Sequence, residues 1–383
     1  MNYKLYKKTN INMGIKGLTP FLKKFAPLAF SNIHLSQFAR KKIAIDISLF
    51  LYKYKVVYGE QWLSGILQML TLLRSHSIHP IIVFDGDAPI EKMEEQQNRR
   101  ISREERVQKY NTLLSSVQDY NSVGTISTEL QEFYNKLAFR FGTTSLFDID
   151  LITSQLDKLK NQTIKLNYTD IELVQELFNV MHIPYVQAAS EAEGLCSWLC
   201  KYKIVDAVLT EDTDVLAYGA DTYFSKLNLI NETCVYIDYF KLLHELVLTE
   251  EQFTEFCIMC GCDYNQRIKG LGPIRAYKML QKYKSIDNMI QDNPSIDYSA
   301  LKHVRIKEMF SLPPIDTIDN IDKIQEKCGR PNYEQLTSFM FKNNCMIMHP
   351  QYVYNSCLQD VNIEDDFKVV TTSYKRRRSP VIK

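Results

Sequence analysis

Ala207–Asp214 reads AVLTEDTD. A short apolar run, Ala207, Val208 and Leu209 followed by Thr210, stops abruptly at Glu211, Asp212 and Asp214. The same event occurs twice earlier, as KIAID at Lys42–Asp46 and PIIVFDGD at Pro80–Asp87. Continuous apolar runs this short are the pattern of parallel strands buried on both faces. In an open parallel sheet the ligand site lies just outside the carboxyl ends of the strands. Three such strands aim Asp46, Asp85, Asp212 and Asp214 at one edge. Carboxylates gathered there repel one another unless protons or cations neutralise them. An oxygen-only donor set favours Mg²⁺ or Mn²⁺ over zinc. For any one strand, an Asp that merely opens the next turn is the simpler account. Three coincidences together favour a site.

Around these strands the apolar spacing is helical at Ser48–Tyr58 and Gln61–Ser75. A charged helix is expected from Ile90 to about Tyr110. From there to about Thr169 the chain reads as a polar, irregular insertion with helical fragments at Glu129–Arg140 and Ile152–Lys160. Thr169 and Glu172 form a capping pattern for a helix ending near His182. A short strand, Pro184–Val186, and a helix, Glu191–Tyr202, precede AVLTEDTD. After Asp263 the chain reads as mostly helical. Alternating strands and helices predict an α/β fold with a central, mostly parallel sheet flanked by helices.

The 383 residues suffice for one large or two modest domains. A net charge of +1 creates no global field, so any nucleic-acid footprint must be local. No apolar run reaches the length of a membrane span. MNYKLYKKTNIN at the start lacks the apolar core of a signal peptide. It has no period and too little apolar surface to offset ordering, so residues 1–12 are expected to be disordered, or absent if translation starts at Met13. Nine cysteines, an odd number without disulfide rhythm, point to a reducing, intracellular compartment rather than secretion. Cys257, Cys260 and Cys262 have no second CxxC pair and no His at ligand spacing. They sit in or beside Glu250–Cys260, which reads as a buried helix capped by Thr249 and Gln252, and are expected as core hydrophobes.

Three further stretches carry chemistry. Ser190-Glu191-Ala192-Glu193-Gly194 opens a helix; it is itself a capping-box pattern, yet it follows a predicted strand and so lies at the acidic edge. Arg267–Ser285, RIKGLGPIRAYKMLQKYKS, has Arg267, Lys269, Arg275, Lys278, Lys282 and Lys284 with no acid among them. Gly270 and Gly272 form a turn feeding a helix that Pro273 can start, and such a turn offers backbone N–H groups to phosphate. On the helix after Asp85, Lys92, Arg99, Arg103 and Arg106 project within a roughly 60° arc. That stripe either holds a phosphate near the acids or is a solvated face with i, i+4 pairs.

Together these motifs resemble the flap endonuclease/XPG family of structure-specific 5′ nucleases. The resemblance rests on MGIKGLTPF, IDIS, VFDGDAP, IPYVQAASEAE, LTEDTD, GCDY and KGLGPIRA in this order, with RPNYEQLTSFM at Arg330–Met340. It covers most of Met13 to about Lys342, and the set is specific although each motif alone is weak. VFDGDAP is closer to XPG, and KGLGPIRA to flap endonucleases. The resemblance implies a PIN-like 5′-nuclease fold with a helical arch and a helix-two-turns-helix at about 263–285. It implies an N-terminal nuclease region at 13–107, an arch or insertion at 108–168, an internal nuclease region at 169–345 and a tail at 346–383. It also implies two Mg²⁺ ions, replaceable by Mn²⁺, held by Asp46, Asp85, Glu191, Glu193, Asp212, Asp214 and Asp263. Lys92 and Arg99 match the catalytic basic pair of the arch, and Tyr52 matches an aromatic on which the nucleotide beside the cut stacks. Arg103, Lys269, Gly270, Gly272, Arg275, Lys278 and Lys282 are the expected DNA contacts, with a K⁺ site at the helix-two-turns-helix.

The expected function is a Mg²⁺-dependent 5′ flap endonuclease and 5′–3′ exonuclease in DNA replication or repair. An exonuclease or junction nuclease of the same family is the nearest alternative. A catalytically dead nucleic-acid scaffold is another, though it has no reason to keep seven self-repelling acids. No clamp-binding box is seen near the C-terminus, so docking on a sliding clamp is not expected. An intracellular monomer, in the nucleus or at another site of DNA replication as the basic Lys375–Arg378 segment suggests, completes the expectation.

Overall fold

The computed structural model describes residues 14–318, 324 and 328–358. The expected extension at 1–12, Met13 and the basic Lys375–Arg378 segment lie outside the described residues. Among the described residues one mixed sheet forms from β1 (Phe30–His34), β2 (Lys42–Asp46), β3 (His79–Phe84), β4 (Tyr185–Gln187), β5 (Ala207–Leu209), β6 (Thr222–Asn228) and β7 (Thr233–Asp238). Their spatial order is β1-β7-β6-β5-β2-β3-β4. From β6 to β4 all neighbours are parallel, and β7 and β1 extend the sheet antiparallel.

The all-apolar runs follow from this position. β2 lies between β3 and β5, with Ala44 opposite Ile81 and Val208. Alternate residues point to opposite faces. Ala44, Ile81, Val83 and Val208 enter one core, and Ile43, Ile45, Ile82, Ala207 and Leu209 enter the other. Helices cover both faces. Ala192–Lys201, Glu250–Cys260 and Pro273–Tyr283 lie on the first; Ile47–Tyr58, Trp62–Ser75 and Tyr168–Val180 lie on the second. Cys257, Cys260 and Cys262 pack in the first core, and burial pushes their thiols up.

Four expectations need correction. β1, β6 and β7 were not anticipated: β1 has three exposed residues, and TYFSKLN in β6 mixes polar and apolar residues. The insertion is not irregular. Met93–Val123, Thr128–Phe141 and Ile149–Asn161 are helices around a separate core of Leu113, Val117, Leu130, Tyr134, Leu137, Ile152 and Leu156. Ser127 and Asp148 cap the second and third of these helices, while Gly124 and Gly142 end the first and second in left-handed geometry. The cap of the next helix is Asn167 with Asp170, not Thr169 with Glu172, because the helix starts at Tyr168. Finally, the segment from 346 does not begin as a tail. Helix Pro350–Ser356 places Val353 and Cys357 in the second core, and buried Arg74 donates from Nη2 to the Cys357 carbonyl at 3.2 Å.

Candidate active site

Asp46 is the last residue of β2, Asp85 follows β3 by one residue and Asp212 follows β5 by three. The sheet therefore delivers them side by side. Thr210 ties two of them together: its Oγ1 donates to Asp46 Oδ2 at 2.8 Å and accepts the Asp212 N–H at 3.1 Å. Asp212 Oδ1 accepts the Asp214 N–H at 2.9 Å. Asp85 Oδ1 accepts the Ala192 N–H at 3.0 Å, so an acid from β3 caps the helix Ala192–Lys201. The alternative capping box at Ser190 does not form; Glu191 occupies the cap position without a side-chain cap bond. Glu191 and Glu193 turn into the cluster instead. Carboxylate atoms of Asp85, Glu191 and Glu193 lie within 4.8 Å of one another.

The electrostatics are those of a cluster short of positive charge. Burial, then Asp85, raises the Asp46 carboxyl far above its ordinary range. Glu193 and Asp214 are raised likewise, first by burial and then by neighbouring acids. Burial pushes Asp212 up to about 6, even with the Asp214 N–H stabilising its charge. Glu193 Oε2 and Asp214 Oδ1 are buried without a hydrogen-bond partner. These orphaned oxygens suit hard cations, which take oxygen ligands.

Two basic side chains reach the acids. Lys92 Nζ donates to Glu191 Oε2 and lies 3.4 Å from Asp263 Oδ2. Arg99 donates from Nη2 to Asp263 Oδ2 at 2.7 Å and from Nε to Glu95 at 3.1 Å. Burial alone would lower Lys92, but Glu193, Glu191 and Asp263 raise it above its ordinary value. Lys92 closes the 3₁₀ turn Ile90–Lys92 rather than lying within the long helix. Arg103 is half-buried farther along that helix and Arg106 is exposed, so the stripe divides at its base.

Two glycines are required by close approach. Gly14 has φ +78°, and a Cβ there would sit 2.2 Å from Asp212 Oδ1 and 2.5 Å from Thr213 Oγ1. The next residue donates its N–H to Thr213 Oγ1 at 3.0 Å, so the N-terminal segment is fastened against the acids. At Gly86, a Cβ would fall 2.0 Å from the Ala188 carbonyl, where the loops after β3 and β4 meet.

Tyr52 is half-buried on Ile47–Tyr58, and its neighbour Lys53 pairs with Glu211. On the other side, Gly270 has φ +79°, and open space surrounds Gly270 and Gly272. Gly272 precedes Pro273, the first residue of Pro273–Tyr283. Lys269, Arg275, Lys278 and Lys282 are all exposed. Phe21 and Phe25, from the first helix Leu18–Phe25, pack on Tyr277 at 5.3 and 5.9 Å between ring centroids. Sequence reading missed Thr210 and Thr213 as tethers, although both lie inside LTEDTD. It also missed the buried Tyr218–Tyr264 pair, whose hydroxyls are 2.9 Å apart and whose members lie far apart in sequence.

Residues 13–106 match the XPG N-terminal domain, and residues 182–263 match the XPG I-region. The chain is 30% identical over 371 residues to a probable RAD2-like endonuclease, 369L, of Invertebrate iridescent virus 6, covering 88% of this chain and 89% of the relative. It is 32% identical over 324 residues to flap endonuclease 1 of Enterocytozoon bieneusi, covering 80% of each. In fold it is similar to the catalytic core of Rad2 in complex with DNA substrate, with a TM-score of 0.62 at 18% identity over 90% of this chain and 99% of that one. Flap endonuclease-1 from Methanococcus jannaschii gives 0.56 at 21% identity, over 86% and 96%.

Proposed function

The chain belongs to the XPG family of structure-specific 5′ nucleases acting on DNA, and from that premise we propose that it is a Mg²⁺-dependent 5′ flap endonuclease with 5′–3′ exonuclease activity, serving DNA replication or repair. The observation that carries this reading is the convergence of carboxylates from three adjacent strand ends, Asp46 and Asp212 buried and Asp85 exposed, with Lys92 and Arg99 at their rim.

Asp46, Asp85, Glu191, Glu193, Asp212, Asp214 and Asp263 would hold two Mg²⁺ ions, with Mn²⁺ as a substitute. Bound there, such ions lower the pKa of a water and offset charge on the leaving oxygen. Lys92 and Arg99 meet the non-bridging oxygens of the scissile phosphate, where negative charge must be held in the transition state. Hydrolysis adds water to phosphorus and breaks the P–O3′ bond, leaving a 5′-phosphate and a 3′-hydroxyl. Tyr52 stacks on the base beside the cut. Arg103 takes the single strand. Lys269, Gly270, Gly272, Arg275, Lys278 and Lys282 bind the duplex backbone, with K⁺ at the Gly270 turn. Contacts of this kind position DNA and read its shape rather than its bases.

The test is cleavage of 5′ flaps, nicks, gaps and bubbles of one sequence, with Mg²⁺ and with EDTA. The expected result is cutting near the flap junction, weaker 5′–3′ trimming at nicks, and no product in EDTA. Turnover in excess EDTA would overturn the metal mechanism, and preference for a bubble or four-way junction would overturn flap specificity.

The exposed lysines give a separate prediction about binding. Lys278→Ala or Lys282→Ala is expected to weaken affinity for duplex of any sequence. Each lost phosphate contact should reduce the slope of log K against log salt by about one. Fluorescence anisotropy across a salt series measures it; an unchanged slope would assign these lysines to solvent.

A further inference from the structure

Among the described residues, one group of side chains apart from the acids converges as metal ligands do. His34 ends β1, His76 follows helix Trp62–Ser75, and Glu232 lies in the β6–β7 turn. His76 Nε2 lies 2.8 Å from Glu232 Oε2, and His34 Nε2 lies 3.6 Å from the same oxygen. The ligand atoms all fall within 4.8 Å of one another. A tetrahedral zinc centre with bonds of about 2.0–2.1 Å separates its ligands by about 3.3 Å, so small side-chain rotations complete the geometry.

The surroundings favour ligation. The imidazoles stand nearly perpendicular, 86° apart, with ring centroids at 5.2 Å, leaving both Nε2 atoms directed at one carboxylate. His34 Nδ1 accepts the Ser36 N–H at 3.3 Å and lies 2.8 Å from Ser36 Oγ; ligation through Nε2 requires the other tautomer, with Nδ1–H donated to Ser36 Oγ. Glu232 adopts φ +53°, uncommon for a residue with a side chain, and its carbonyl accepts the Leu35 N–H at 2.9 Å. The turn is thus fastened beside His34.

We propose that His34, His76 and Glu232 form a second metal site that takes a single Zn²⁺, with water in the fourth position. Two imidazole nitrogens and one carboxylate suit zinc and not Mg²⁺, which selects oxygen. The acids at the strand ends have the opposite preference, so the two sites sort their metals by donor type. The ion clasps residues 34, 76 and 232, which belong to three different elements. Bound there, it fastens the antiparallel edge of the sheet to the end of a helix of the second core.

The experiment is equilibrium dialysis of the full chain against Zn²⁺, with Mg²⁺ in large excess to occupy the acids. The wild type is expected to retain one zinc per chain and to melt at higher temperature with it. His34→Ala, His76→Ala and Glu232→Gln should each weaken zinc by about a hundredfold or more, beyond the loss from removing an outer hydrogen-bond partner. Asp85→Asn should retain zinc normally. Zinc-free melting curves check that each variant folds. Failure of the wild type to retain zinc, equal retention by the three variants, or loss only in Asp85→Asn would overturn the site. Should a variant not fold, the wild-type His34 and His76 ring resonances decide the matter. Both must shift on adding zinc, and unmoved signals would mean a plain His76–Glu232 hydrogen bond.

Discussion

Asp212→Asn is expected to lower the single-turnover cleavage rate by at least about 10³-fold, roughly 4 kcal/mol of transition-state stabilisation. Asp212 is buried at the centre of the cluster, between the Thr210 tether and the Asp214 amide. An Asn Oδ1 can keep accepting the Asp214 N–H, so the fold survives. With metal chelated at pH 8, the variant is expected to melt above the wild type, since it removes one charge from a repelling, desolvated cluster. The sign of the pH dependence follows from the same residue. Its folded-state pKa, about 6, lies above the ordinary 3.8, so between these values the folded chain binds more protons than the unfolded one. In EDTA, Asp212's contribution to stability is therefore full below about pH 4 and lost as pH rises through about 6. Mg²⁺ should restore the loss, by more in the wild type than in the variant. Quench-flow cleavage and calorimetry with and without EDTA measure both effects. Normal cleavage by the variant would remove Asp212 from the site, and a lower melting point in EDTA would contradict the repulsion.

Lys92→Ala and Arg99→Ala are expected to slow the single-turnover rate far more than they weaken DNA binding, on the order of 2–4 kcal/mol each. Both side chains already sit on the acids, Lys92 on Glu191 and Arg99 on Asp263. Positive charge held there counts most when the phosphate gains charge in the transition state. Lys92→Ala also leaves Glu191 without its cation, so tighter Mg²⁺ binding should accompany the slower chemistry. Rates at saturating enzyme, beside anisotropy-measured affinity, separate the two effects. Wild-type rates in both variants would mean that these ion pairs only hold the arch.

The strand-end acids could be read from the chain because β2, β3 and β5 are buried on both faces. Burial on both faces forces short all-apolar runs, and the polar residues that interrupt them mark the edge. β1 and β7 are partly open on both faces, so no such run marks them. At Glu193 a local rule and a distant contact competed. Ser190 and Glu193 spell a capping box, yet Asp85 supplies the cap from another strand, and no local pattern reports that exchange. The arch looked irregular because its first helix, Met93–Val123, buries only Leu113, Ser116 and Val117. Its apolar residues face a small private core, too sparse to impose a period. Gly14 was legible only through the family likeness, since its need for glycine comes from Asp212 and Thr213, some two hundred residues away.

That private core has a consequence for commitment to reaction. A segment whose apolar contacts are largely its own can fray or swing as a cooperative unit without breaching the two cores of the body. Here the unit is rooted through Lys92 and Arg99 in the acids themselves. Any excursion of the root withdraws both cationic groups at once, and its return restores both. On the proposed function the arch would work as a latch: the body would stay folded and hold a duplex while the chemistry is switched off, and seating one helix base would rearm it.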